Sequence, residues 1–156
     1  MKKNRPRALL VDADGVIQTS PPNFITALRS LPPKDEDAED FLAEVFAAEK
    51  PCLVGAANFP TVLSAVLQRW HVDVSLESVL SLWENIHRFE AGLDLIEQTR
   101  AKGIPCFLAT NQQAQRADYM RTTLGYDALF DHSYYSCELG SAKPDTAFFQ
   151  SVIADL

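Results

Sequence analysis

Ala8-Leu9-Leu10-Val11-Asp12-Ala13-Asp14-Gly15 is the stretch that decides the fold. Four apolar residues without alternation read as a strand buried on both faces, the habit of parallel sheets. Two carboxylates follow where the strand stops, and Gly15 permits a sharp turn. In open α/β sheets, chemistry gathers at the carboxyl ends of strands. Two acids placed there can hold a hard cation, and one can attack an electrophile. By themselves these residues fit an Asx-rich turn equally well, so the remainder of the chain has to discriminate.

The chain has 156 residues, 47% hydrophobic and 22% charged, with a net charge of −7. That suits one globular domain, or a core carrying a modest insertion. The negative balance argues against a nucleic-acid binder. Lys2, Lys3, Arg5 and Arg7 read as a solvated leader. No apolar stretch is long enough to span a membrane, and the N-terminus lacks the apolar core of a signal peptide. Cys52, Cys106 and Cys137 match neither a zinc spacing nor a disulfide framework, which fits reduced thiols and a cytoplasmic setting.

Beyond Gly15 the pattern is helical to about Glu90, with no convincing strand. Helices are expected over 23–31, 35–50, 59–70 and 75–87, divided by Pro32-Pro33 and Pro51. The acidic run Asp35 to Asp40 suits a helix start and its dipole. Val74, Val79, Leu80, Trp83 and Ile86 form an apolar face on the fourth helix. The pattern then changes. A helix over 92–102 closes at Gly103, and Ile104 to Ala109 form a second apolar strand ending in Thr110-Asn111. A helix over 112–124 stops at Gly125. Tyr134 to Ser136 form a third short strand, and Pro144 opens a last helix. Strands alternating with helices indicate a parallel sheet with crossover helices. The expected class is therefore α/β, a Rossmann-like parallel core over 1–19 and 90–156 with a helical bundle inserted over 20–89.

All three polar groups fall on one edge of such a sheet: Asp12 with Asp14, Thr110 with Asn111, and Lys143 in Gly140-Ser141-Ala142-Lys143-Pro144-Asp145. Carboxylates with a cation, a hydroxyl or amide, and an ammonium are what a phosphoryl group needs. Lys143 read as a helix-start lysine would oppose the dipole, so an acceptor for its charge is expected.

The three motifs, in this order, resemble the haloacid dehalogenase-like hydrolase superfamily over residues 7–156. Thr110-Asn111-Gln112 and Phe130-Asp131 before a short strand extend the likeness. The resemblance implies that Asp12 is the nucleophile of an aspartyl-phosphate and a ligand of Mg²⁺. It implies that Asp14 is the general acid and base, its backbone carbonyl also reaching the metal. Thr110 and Asn111 would orient the phosphate and Lys143 would clamp it. Dehalogenases of this family carry an aromatic residue in place of the second acid, so Asp14 favours phosphoryl transfer. The insertion resembles the family's helical cap, hinged near 15–20 and Phe89. Asn58, Arg69, His71 and His87 are open candidates for substrate contacts there.

The family also carries a fourth motif, paired acids at the end of a further strand, and no such pair precedes Leu156. The core is therefore expected to lack its C-terminal part, with weaker Mg²⁺ binding, weak or no turnover, and an open edge along Ala8 to Val11 that invites self-association. The expected function is a Mg²⁺-dependent phosphatase of small phosphorylated metabolites. A non-catalytic phosphate-binding or interaction module is the alternative, and a phosphomutase or dehalogenase a further one.

Overall fold

The computed structural model describes residues 7–156. Its centre is a parallel sheet in the order β1 (Leu9–Val11), β4 (Cys106–Thr110), β5 (His132–Tyr135). Leu9 pairs with Cys106 and Val11 with Leu108, while Phe107 pairs with His132 and Thr110 with Tyr135. All three strands therefore end on the same edge.

Side chains alternate across a strand, and β4 uses both faces. Cys106 and Leu108 join Val11, Leu93, Ile96, Ala117, Met120, Tyr126 and Phe130 in one buried cluster. That cluster packs α5 (Glu90–Ala101), α6 (Ala114–Thr122) and α7 (Tyr126–Leu129) against the sheet. Ala109 and Phe107 face the other way, toward Tyr134, Phe148 and Val152. There the sheet is covered by α9 (Thr146–Asp155), preceded by the single turn α8 (Ser136–Leu139). A continuous apolar run in β4 is what burial on two faces requires.

Four helices between the first two strands of the parallel sheet form a unit with its own core. They are α1 (Phe24–Arg29), α2 (Ala38–Glu49), α3 (Phe59–Arg69) and α4 (Leu76–Glu84). Leu28, Phe41, Val45, Leu63, Val66, Val79 and Trp83 are buried together and share no member with the core beneath the sheet. The Trp83 ring meets Phe24 and Phe59 edge-on, at 5.2 and 4.9 Å between centroids. Asn58 and Ser75 accept backbone N–H groups at the starts of α3 and α4, as side chains at such positions do. Glu39 and Asp40 fall in the first turn of α2, where the acidic run was expected.

Several expectations need correction. The polypeptide crosses between the two units as a two-stranded antiparallel ribbon, β2 (Gln18–Thr19) and β3 (His87–Arg88), where no strand was expected. Four polar residues have no periodicity to betray a strand, and only their mutual pairing makes one. Val74 is exposed, and Ile86 packs against the core beneath the sheet instead of joining the face led by Trp83. The last helix starts at Thr146 with Asp145 accepting the Ala147 N–H, so Pro144 lies outside it. Leu10 is 41% exposed, so β1 is not buried on both faces as the apolar run alone suggested; among the described residues it is an edge strand, the open edge expected along Ala8 to Val11.

Candidate active site

Asp12 and Asp14 leave β1 on opposite sides of Ala13, which is fully buried. The Ala13 carbonyl accepts the N–H groups of Val16, Ile17 and Gln18 in a tight turn. Gly15 stands in it at φ +79°, a conformation that favours glycine. The Asp12 carboxylate is thereby held at the sheet edge, with Oδ1 accepting the Ala13 N–H at 2.8 Å.

Lys143 reaches Asp12 from the loop after α8, its Nζ lying 2.6 Å from Oδ2. The acceptor expected for its charge is present, although the helix dipole is not the reason, since Lys143 precedes the Asp145 cap. The loop that carries it is fastened to β4. Asn111 Nδ2 donates to the Lys143 carbonyl and the Lys143 N–H donates to Asn111 Oδ1, both at 2.8 Å. The Asn111 amide thus reaches the site but engages Lys143's backbone with both of its polar atoms. Thr110 closes β4 nearly fully buried, its hydroxyl accepting from Gln112 Nε2 at 3.2 Å.

Asp14 is held quite differently. Its Oδ1 accepts from Arg116 Nη2 at 3.0 Å and Gln18 Nε2 at 3.1 Å. Its Oδ2 accepts from Arg116 Nη1 at 2.9 Å and Gln112 Nε2 at 2.6 Å. The Arg116 side chain is only 9% exposed, against 42% for Asp14. Sequence reading missed Arg116. A signal existed, because a guanidinium in the first turn of α6 opposes that helix's dipole and needs an acidic partner. Gln112 had been noted only for its place in a motif. Gln18, which also accepts from the Tyr126 hydroxyl at 2.9 Å, carried no such sign.

The four open candidates in the helical unit are placed elsewhere or already engaged. Asn58 closes the start of α3, accepting the Thr61 N–H at 3.0 Å. Arg69 pairs with Glu44, holding its carboxyl below the usual range by that hydrogen bond and by a second from the Trp70 indole. His71 and His87 are exposed, the latter on β3 of the ribbon. Glu49 is the acid that packing sets apart. Half-buried at the end of α2, it accepts the Trp83 indole N–H at 2.8 Å, and burial pushes its carboxyl above the usual range.

Among the described residues no three His, Cys, Asp or Glu side chains converge as a metal cage. The donors present are nonetheless hard oxygens. The Asp12 carboxylate is 44% exposed, and the Asp14 carbonyl accepts no backbone hydrogen bond among the described residues. This fits a Mg²⁺ ion held by one or two protein oxygens together with substrate phosphate and water.

A family model described as haloacid dehalogenase-like hydrolase matches residues 6–156. Among solved structures, a HAD family enzyme from Bacteroides thetaiotaomicron, complexed with magnesium and inorganic phosphate, superimposes with a TM-score of 0.77. It is 19% identical over 96% of this chain and 78% of that one. A HAD phosphatase from Thermococcus onnurineus gives 0.67 at 19% identity, over 96% and 71%. An L-2-haloacid dehalogenase from Xanthobacter autotrophicus gives 0.63 at 13%, over 96% and 64%. At these identities the likeness is one of fold. No curated protein matches the chain significantly.

Proposed function

Because the chain belongs to the haloacid dehalogenase-like hydrolases, we propose that it hydrolyses small phosphate monoesters through a covalent phosphate on Asp12. The observation that carries this reading is the Lys143–Asp12 contact of 2.6 Å on the same sheet edge as Asp14 and Thr110.

In the proposed reaction an Asp12 carboxylate oxygen attacks phosphorus and the P–O bond to the leaving group breaks. Asp14 gives its proton to the departing oxygen. Water then attacks the aspartyl-phosphate, Asp14 takes the proton, and inorganic phosphate leaves with Asp12 restored. The Lys143 ammonium offsets charge on the phosphoryl oxygens, and the Thr110 hydroxyl orients one of them. Asn111 acts one step back, keeping Lys143 in reach. Mg²⁺ would be held by the Asp12 carboxylate and the Asp14 carbonyl, and would neutralise phosphoryl charge. The helical unit over 20–89 serves as the cap, excluding water from the edge it faces. A second acid at Asp14 favours a phosphate ester over a haloacid, whose halide leaves without a proton.

The test is steady-state hydrolysis of p-nitrophenyl phosphate with Mg²⁺. Weak turnover in the wild type that Asp12→Asn abolishes is expected. Equal turnover by wild type and Asp12→Asn would overturn the assignment of the nucleophile.

A further inference from the structure

We propose that Arg116 is a positioning residue that couples Asp14 to the seating of the helical unit. This rests on the reading of Asp14 as the acid and base.

The guanidinium faces two units at once. Its two Nη groups grip the Asp14 carboxylate, and Nη1 also donates to Gln112 Oε1 at 3.0 Å. Its Nε donates to the Trp83 carbonyl, 2.9 Å away in the last turn of α4. The final carbonyls of a helix lack intrahelical donors and favour a cation. Arg116 supplies both, from outside the helix. A guanidinium is a rigid planar fork. Its Nε cannot swing away from Trp83 without turning the Nη pair that holds Asp14.

The neighbourhood extends the link on both sides. Gln115, beside Arg116, donates to Glu84 at 2.9 Å, so two successive residues of α6 fasten the end of α4. The Trp83 indole carries the connection on to Glu49 of α2. On the other side, Gln18 of the ribbon donates to Asp14. An ionised carboxylate offers about four acceptor positions, and the four donors around Asp14 match them. In this arrangement the Asp14 carboxylate is held in one place while its side chain stays 42% exposed. Lifting α4 from α6 removes the Nε partner and lets the guanidinium fork, and Asp14 with it, shift from its place. The seating of the helical unit thereby sets where its acid stands.

Coupling is reciprocal, so Asp14 must in turn help to seat α4. Backbone hydrogen exchange on the full chain tests this without substrate. Asp14→Asn is expected to speed exchange over residues 82–88 about 5- to 150-fold, the usual span of coupling between sites, with β4 and α2 keeping their protection. Asp12→Asn, which leaves Arg116 its partner, should not change that segment. Unchanged exchange over 82–88 in Asp14→Asn, or a uniform rise throughout the chain, overturns the proposal. Arg116→Lys keeps the charge but cannot span both partners. It should show the same local loosening and, in p-nitrophenyl phosphate hydrolysis with Mg²⁺, a fall in kcat larger than any change in KM. Wild-type kcat in that variant also overturns the proposal. Loosening without hydrolysis by any form would leave the link standing and remove the phosphatase reading. Hydrolysis abolished by Asp12→Asn, with 82–88 indifferent to Asp14, would do the reverse.

Discussion

Asp12 and Asp14 are two residues apart and live in different electrostatic settings. Asp12 faces one flexible ammonium, whereas Asp14 is gripped by a buried guanidinium and two amides. Substitution should separate them. Lys143→Met removes the ammonium proposed to clamp the phosphate while leaving the aliphatic stem, and kcat/KM for p-nitrophenyl phosphate should fall about 10²–10³-fold, as when one donor to a developing charge is lost. Its unfolding midpoint in urea should hardly move. Asp14→Asn should cost about 10²–10⁴-fold in kcat as a general acid and base. It should also lower stability, because Arg116 stays buried without its counter-charge. A fully buried pair broken in this way loses about 3–5 kcal/mol, and the half-exposed Asp14 reduces that to about 1–3 kcal/mol. Urea unfolding of the two variants measures the contrast. The acids were legible in the sequence because both end an apolar run. The Arg116 grip was not, since its partners lie 102 and 33 positions away.

At the scale of elements, two seams carry testable load. Phe130-Asp131 was noticed for its likeness to a family pattern, and the structure supplies the physics. Phe130 is buried in the core, while Asp131 accepts the Cys106 N–H at the start of β4 and pairs with Arg100 of α5. The Cys106 N–H bond and the Arg100 contact together hold the Asp131 carboxyl below its usual range. A carboxylate depressed in the folded state stabilises above the ordinary carboxylate range and loses that contribution as pH falls through its lowered value. Asp131→Asn should therefore be destabilised at pH 7, with its deficit shrinking in acid. Thermal unfolding across pH checks this. The second seam is the turn after residues 50–54, where Gly55 stands at φ +69° against α8. A Cβ there would run into the Cys137 carbonyl. Gly55→Val should cost about 1–3 kcal/mol, as overpacking does, and raise the protease sensitivity of the helical unit. The helices themselves were readable from apolar spacing and proline breaks. The β2–β3 ribbon was not, because two-residue strands owe their form to each other.

For the whole molecule, the decisive feature is a sheet packed on both faces and a helical unit with its own core, joined by a ribbon next to the edge that carries Asp12 and Asp14. No helix among the described residues is long and apolar enough to cross a membrane. Along the outer edge of β1, Leu10, Val16 and Leu95 are exposed and line an apolar hollow with Leu9 and Gly92. Such an edge is a template for pairing with another strand. Self-association of the chain through it is expected, and Leu10→Lys, whose side chain is already exposed, should lower the mass seen in light scattering without changing the fold. The sequence by itself determined the α/β class, the run of helices that follows the first strand, and the three motifs that meet at one sheet edge. It could do so because apolar periodicity and strand-end polarity are local signals. Only tertiary structure decided that Asn111 holds Lys143's backbone and that Asp14 is tied through Arg116 to the end of α4. Each of those depends on which distant groups packing brings within hydrogen-bond reach, and spacing along a chain does not encode that distance.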